Sequence, residues 1–334
     1  MNLVIIITLL VSVTIQVLST TCESRNGNYK EHCRRSTSES DREVRMLLIG
    51  KTGVGKSTTG NTILGFPAFE TKISATSVTA NTQFDETERF GKQLVVIDTP
   101  GLFDTNRTTT EVLIEMSKWY SLASPGIHAI LLVVEIGRVT GEEQKTVDFF
   151  LKAFGDELKK FLIVVFTHKN KLDEEHMTID DFVRTMDKTS NLKIIIDEID
   201  ERYIAIGLKG RREDRDKEVS QILSMIETMG KKNGRSYYSN NIFQRVENII
   251  KNHVKEEIEK LKSQEKTYTQ EELLLLLKAG RSDSRINIIN ANQHEEGLLS
   301  KVVSTVWSGL IAAGALATNT VGYVFSKVGG LFGF

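Results

Sequence analysis

Gly50-Lys51-Thr52-Gly53-Val54-Gly55-Lys56-Ser57 sets glycines, a lysine and a hydroxyl at the spacing G-x-x-x-x-G-K-[ST]. Glycines at these places let backbone N–H groups turn inward around phosphate oxygens. A helix starting at once behind them, through Thr58, adds its positive end to the same anion. Lys56 can reach β- and γ-phosphates as a point charge, and the Ser57 hydroxyl can ligate Mg²⁺. The chemistry is binding of a nucleoside triphosphate with its metal. Asp98-Thr99-Pro100-Gly101 adds two further parts. The Asp98 carboxylate can hold Mg²⁺ directly or through water, and the Gly101 N–H can approach a γ-phosphate with no side chain in the way. A hydroxyl that closes over the metal should lie between the two motifs. Thr76, Ser77 and Thr79 are the candidates, with Thr76 the first choice as third metal ligand.

Such parts need strands to present them. Met46–Ile49 is a short apolar run before the glycines, which predicts a buried strand, and Ser57–Leu64 predicts the helix behind. Leu94–Ile97, Ala129–Val134, Phe161–Phe166 and the weaker Arg202–Ile206 are further apolar runs. Charged amphipathic stretches such as Glu111–Leu122, Glu142–Phe154 and Arg215–Met229 separate them. Continuous apolar runs alternating with helical patterns imply parallel strands covered on both faces. The predicted fold is therefore α/β, a P-loop NTPase with a doubly wound, mostly parallel sheet over 44–235. A C-terminal α-helical extension, 236–297, follows. In it Ile242, Val246, Ile249, Ile250, Val254, Ile258 and Leu261 recur at helical spacing, and Glu271–Lys278 is a second, Leu-rich piece. These helices can pack on the core, pair with a partner, or do both.

The chain has 334 residues and a formal net charge of −1, so no global positive field draws it to nucleic acid. Cys22 and Cys33 are its two cysteines, and they form neither a disulfide framework nor a zinc spacing. Leu3–Leu18 carries no charge, which predicts a signal peptide or a signal anchor over 1–19, before a polar linker at 20–43. At the other end Val302–Ser326 is charge-free between Lys301 and Lys327, long enough to cross a bilayer. Glycines and hydroxyls dilute it, and a helix buried against protein is the alternative. The expectation for 298–334 is membrane association. Arg25, Lys30, Arg34 and Arg35 follow the first run, which places the domain in the cytosol if that run stays in a membrane. Asn106-Arg107-Thr108 is a glycosylation sequon beside the phosphate motifs. Endoglycosidase-sensitive mass there would reverse the cytosolic placement.

The glycine motif runs on as Thr58-Thr59-Gly60-Asn61-Thr62-Ile63-Leu64-Gly65. Ser74-Ala75-Thr76-Ser77-Val78-Thr79 and Asp98-Thr99-Pro100-Gly101-Leu102-Phe103-Asp104-Thr105 follow. Ser124-Pro125-Gly126-Ile127-His128-Ala129-Ile130-Leu131-Leu132-Val133 comes next, with Gly137-Arg138-Val139-Thr140 and Glu142-Glu143-Gln144. Together they resemble AIG-type G domains, the GTPases of immunity-associated proteins (GIMAPs), which are related to septins and chloroplast Toc GTPases. The resemblance spans roughly 44–260. It implies GTP/GDP and Mg²⁺ as ligands, weak intrinsic hydrolysis, a nucleotide-dependent homodimer through G domains, and often a C-terminal membrane segment.

Three places depart from that pattern. His168-Lys169-Asn170-Lys171-Leu172 stands where guanine readers carry N-K-x-D. His168 can stack on or hydrogen-bond the base, with Lys169 beside it. Lys171 stands where an Asp would accept from the base, and a cation accepts nothing. Asp173 could substitute if the loop shifts. Arg202-Tyr203-Ile204-Ala205-Ile206-Gly207 lacks the Asn that the family usually places near the base. Leu102 and Phe103 stand where a Gln would orient the attacking water. Arg138 is then the candidate catalytic group, acting across a dimer, with a salt-bridged surface arginine as the alternative. His128 reads as structural. Two functions remain open: a slow GTPase working as a dimerising switch or scaffold at a membrane, and a non-hydrolysing nucleotide-binding interaction protein with relaxed base specificity.

Overall fold

The computed structural model describes residues 42–71, 81–101, 109–137, 155–207, 210–262, 276–277, 280–285, 287 and 298–312. The 1–19 run, the linker up to 41, the Glu142–Phe154 stretch and the terminal 313–334 lie outside the described residues.

Six strands form one sheet: β1 (Glu43–Ile49), β2 (Gln83–Arg89), β3 (Lys92–Asp98), β4 (Ala129–Glu135), β5 (Leu162–Thr167) and β6 (Tyr203–Ala205). Their order is β2-β3-β1-β4-β5-β6. The β3-β1-β4-β5-β6 pairs are parallel and β2 runs antiparallel to β3. The chain leaves β1 toward one side and later returns to its other side at β4, so the end of β1 is a switch point of the sheet.

The apolar runs are continuous because each strand feeds both faces. In β1, Leu47 and Ile49 join one apolar cluster while Met46 and Leu48 join the other. α1 (Lys56–Leu64) and α6 (Arg212–Asn233) cover the second face. α2 (Thr109–Leu122) and α7 (Asn241–Lys262) cover the first. Three short helices, α3 (Asn170–Glu174), α4 (Ile179–Thr185) and α5 (Asn191–Glu198), fill the connection from β5 to β6.

The expected strand from Phe161 begins one residue later, because Phe161 closes a 3₁₀ turn, Asp156–Phe161. The sequence reading missed β2. Its residues QFDETER show little apolar patterning. As an edge strand with one bonded neighbour, β2 tolerates such charge, which also blunts the open edge.

The 236–297 stretch supplies a helix to the domain's own core. Ile242, Phe243, Val246, Ile250 and Val254 of α7 share a cluster with Leu47 and Ile49. α8 (Leu298–Ala312) then packs on α7 and α2. Its Val302, Val303, Val306, Trp307 and Leu310 are buried. Among the described residues no helix is long and apolar enough to cross a membrane.

Ion pairs fasten residues 280–285 to this assembly. The Arg285 guanidinium bonds Glu43 at 2.6 Å and Glu86 at 3.2 Å. Arg281 bonds Glu247 of α7 and the Ser124 carbonyl. Burial opposes the Glu43 charge, but Arg285 and Arg45 outweigh it and hold the pKa at about 2. Because the folded value lies below the unfolded one, this stabilisation is complete above pH 4.5 and is lost as pH falls toward 2. Arg285→Met should cost about 1–3 kcal/mol at neutral pH, since Glu43 keeps Arg45 but loses one of its two cationic partners. The loss should shrink in acid, read as converging denaturation midpoints of variant and wild type.

Candidate nucleotide site

Parallel strands deliver their C-terminal ends to one edge of the sheet, and the site residues collect there. Gly50–Gly55 joins β1 to α1. Gly50, Gly53 and Gly55 have φ of 148°, 84° and 97°. Gly50 has no alternative at its place. A Cβ there would stand 2.4 Å from the Val133 carbonyl oxygen of β4, a backbone atom that cannot swing aside. Gly55 takes the left-handed conformation as N-cap of α1, and no side chain caps that helix. The positive end of α1 therefore faces the glycine loop with no side chain of its own drawn across it.

Lys56 is 6% exposed, and its ammonium donates to the Lys51 carbonyl at 2.8 Å. Burial pushes its pKa down to about 8, against the pull of Asp98. The Ser57 hydroxyl donates to Asp98 Oδ2 at 2.6 Å, and Asp98 itself is fully buried at the end of β3. Thr99 Oγ1 donates to the Leu48 carbonyl at 2.7 Å, which ties the end of β3 to β1. Gly101 then meets the glycine loop: a Cβ there would lie 2.0 Å from Thr52 Oγ1. The structure therefore brings Gly50 to Thr58, Asp98 and Gly101 together at one end of the sheet. Thr76, Ser77, Thr79, Leu102, Phe103 and Arg138 lie outside the described residues.

Ser57 and Asp98 fit Mg²⁺. One carboxylate and one hydroxyl, with phosphate and water completing the shell, is the kind of set this ion accepts. Among the described residues no cluster of three or more His, Cys, Asp or Glu side chains offers a protein-only metal cage.

The end of β5 builds the second half of the site. Thr167 is fully buried, and its hydroxyl donates to the Val54 carbonyl at 2.7 Å, across 113 residues of sequence. That bond fixes the β5 end to the middle of the glycine loop. His168 follows with φ of 61°, rare for a residue with a side chain, and its Nδ1 lies 3.1 Å from Thr167 Oγ1. Lys169 Nζ bonds Glu218 Oε1 at 2.9 Å, and the Gly207 N–H bonds Glu218 Oε2 at 3.0 Å. Glu218 thus joins the segments that follow β5 and β6. Lys171 Nζ donates to Glu135 Oε1 at 2.6 Å and to the Ile136 carbonyl at 3.1 Å. Asp173 does not take the place of Lys171. It sits inside α3, where two residues turn the chain about 200°.

Sequence reasoning missed Thr167, Glu218 and Glu135. Glu218 did leave a signal, standing in helical phase with Ile222, Ile226 and Met229, where an apolar residue belongs. His128 is structural, as read: its Nδ1 accepts from the Arg45 N–H at 3.0 Å, and burial holds its pKa well below the ordinary value. A cavity of 680 Å³ opens elsewhere, lined by Lys159, Glu198, Arg202, Lys232 and Arg235 among others. It lies at the N-terminal ends of β5 and β6, opposite the glycine loop. Its arginine Arg202 is spent on three backbone carbonyls.

Thr167→Val should cost about 1–3 kcal/mol, because it leaves the Val54 carbonyl without its donor while keeping the shape. The denaturant midpoint reads this loss. Nucleotide affinity should fall with it, since the bond sets the glycine loop against the His168 segment.

The sequence profile of the AIG1 family matches residues 44–258. Immune-associated nucleotide-binding protein 9 of Arabidopsis thaliana is 32% identical over 242 residues, 72% of this chain and 68% of that protein. GTPase IMAP family member 8 of Homo sapiens is 32% identical over 201 residues, 59% of this chain but 29% of that protein. Among solved structures, Toc33 of Arabidopsis thaliana in complex with GDP and Mg²⁺ aligns at 18% identity and a TM-score of 0.43, covering 60% of this chain and 90% of that one. A profile match across this glycine loop, sheet and base-side segment decides the matter: the chain belongs to the AIG1 family.

Proposed function

We propose that this chain binds GTP and GDP with Mg²⁺ through Gly50–Ser57 and acts as a slow, dimerising GTPase switch or scaffold at a membrane. The carrying observation is the buried Lys56 ammonium beside the Ser57–Asp98 pair, at the uncapped start of α1. A buried cation, a hydroxyl–carboxylate pair suited to Mg²⁺ and the positive end of a helix converge on a place that suits a metal-bound polyphosphate. The names of its relatives, a nucleotide-binding protein and a GTPase, support the reading. When bound, Mg²⁺ supplies charge neutralisation between phosphate oxygens. This chain's own residues cradle the anion, hold the metal and set the base against His168.

Hydrolysis is slow in this account because Leu102 offers no group to orient water, and Arg138 acts on the phosphate of a second copy. Phosphate release from GTP should rise more than linearly with protein concentration. Arg138→Ala should remove that rise, an effect of about 10³–10⁵ where an arginine finger operates. Unchanged turnover in Arg138→Ala would reject the role. Membrane attachment runs through the apolar terminal segments, with the G domain on the cytosolic side. A second reading, a non-hydrolysing binder with relaxed base choice, draws on the Lys171–Glu135 pair, which puts a cation where an acceptor is expected. Competition among GTP, ATP and XTP, followed by phosphate release, separates the two.

A further inference from the structure

We propose that Glu135 supplies the carboxylate that reads the guanine edge, and that Lys171 is the residue positioning it. The inference rests on the nucleotide reading above. Guanine presents two donors on one edge, N1–H and the exocyclic amine, and a reader must place an acceptor there. Without one, the buried donors go unpaired and selectivity is lost. Lys171 occupies the place where that acceptor is expected. Although its side chain is 44% exposed, its ammonium is held by Glu135 at 2.6 Å and the Ile136 carbonyl at 3.1 Å. A carboxylate therefore stands one ion-pair length from the position that lacks it.

The backbone brings Glu135 to the right edge. It ends β4 in register with Thr167, the residue whose hydroxyl holds the glycine loop and whose neighbour is His168. Its side chain is 43% exposed, so a ligand can reach it. The Lys171 hydrogen bond, with smaller help from His168 and Lys51, keeps its pKa below the ordinary carboxylate value. It is thus ionised at neutral pH and can only accept. The neighbouring carboxylates are otherwise engaged. Both Glu218 oxygens accept bonds within the protein, and its side chain is 8% exposed. Asp98 holds Ser57. Asp173 lies two residues past Lys171 on α3, about 200° round the helix from it.

Adenine carries an acceptor in place of guanine's N1–H, and xanthine a carbonyl in place of its amine, so each sets one acceptor against an ionised Glu135. The full-length chain should be titrated with GTP, ATP, XTP and inorganic triphosphate, each with Mg²⁺. In Glu135→Gln the GTP-over-XTP preference should fall at least tenfold, because the amide N–H now matches the xanthine oxygen. Inorganic triphosphate should bind as it does to wild type. Lys171→Met keeps the carboxylate but frees it, and should lower the same preference severalfold without touching triphosphate affinity. A wild-type GTP/XTP ratio in Glu135→Gln overturns the assignment of the base reader while leaving the phosphate site intact. A wild-type ratio in Lys171→Met alone overturns the positioning role. Failure of wild type to bind any of the four ligands overturns the nucleotide reading itself, and this inference with it.

Discussion

Lys56→Ala should weaken Mg²⁺–GTP binding by on the order of 10²–10³-fold, within the cost of truncating one side of a buried charge pair. The same change should make the ligand-free fold more stable at pH 7. Burial disfavours the Lys56 charge, which is why its pKa sits at about 8 rather than 10.5. The folded value is below the unfolded one, so the unfolded chain binds more protons between the two. Ligand-free stability therefore rises as pH climbs from about 8 to 10.5 and is lowest, for this group, below that window. Polyphosphate reverses the preference by pairing with the ammonium. Binding near pH 8 should take up a proton, and affinity should decline as pH rises further. Titrations in buffers of different ionisation heat measure that proton directly. A variant that loses both binding and ligand-free stability would show Lys56 to be a packing residue instead.

Ending the chain at residue 297 should produce the largest loss of stability of any change considered. It removes Val302, Val303, Val306, Trp307 and Leu310, all buried in a helix that packs on α2 and α7. Trp307→Ala alone should cost about 3–5 kcal/mol, the usual range for emptying a large aromatic site. That cost has a ceiling. α8 is one helix at the end of the described chain, so a badly damaged α8 can leave as a unit, and no point change can cost more than its docking. The truncated chain should therefore unfold at a lower denaturant concentration than Trp307→Ala. It should also bind an apolar dye through the α2–α7 surface it uncovers. An unchanged midpoint on truncation would remove α8 from the core. The same side chains cannot serve this core and a bilayer together, so vesicle binding by the full chain should fall as α8 docking is strengthened.

The legible parts of this molecule were the local ones. The glycine motif could be read because its eight residues act together within one turn. β1, β3, β4 and β5 could be read because strands covered on both faces leave unbroken apolar runs. β2 was illegible because an edge strand needs no such run. The bonds that assemble the base side join residues far apart in sequence: Thr167 to Val54, Lys169 to Glu218, and Lys171 to Glu135. No spacing rule finds them. The substitution of Lys171 was visible, but its partner was not, since Glu135 looked like the end of an ordinary buried strand. The charge-free stretch from Val302 had a membrane's length in sequence. Burial against protein and burial in lipid write the same residues, and through Ala312 the structure shows burial against protein.

Calorimetric titration of the full-length, folded chain with Mg²⁺–GTP tests the central claim most directly. Saturable binding at one site per chain, weakened by on the order of 10²–10³-fold in Lys56→Ala and dependent on Mg²⁺ through Ser57 and Asp98, is the expected result. No heat from GTP, GDP, ATP or XTP, in protein that retains its cooperative unfolding transition, would contradict it.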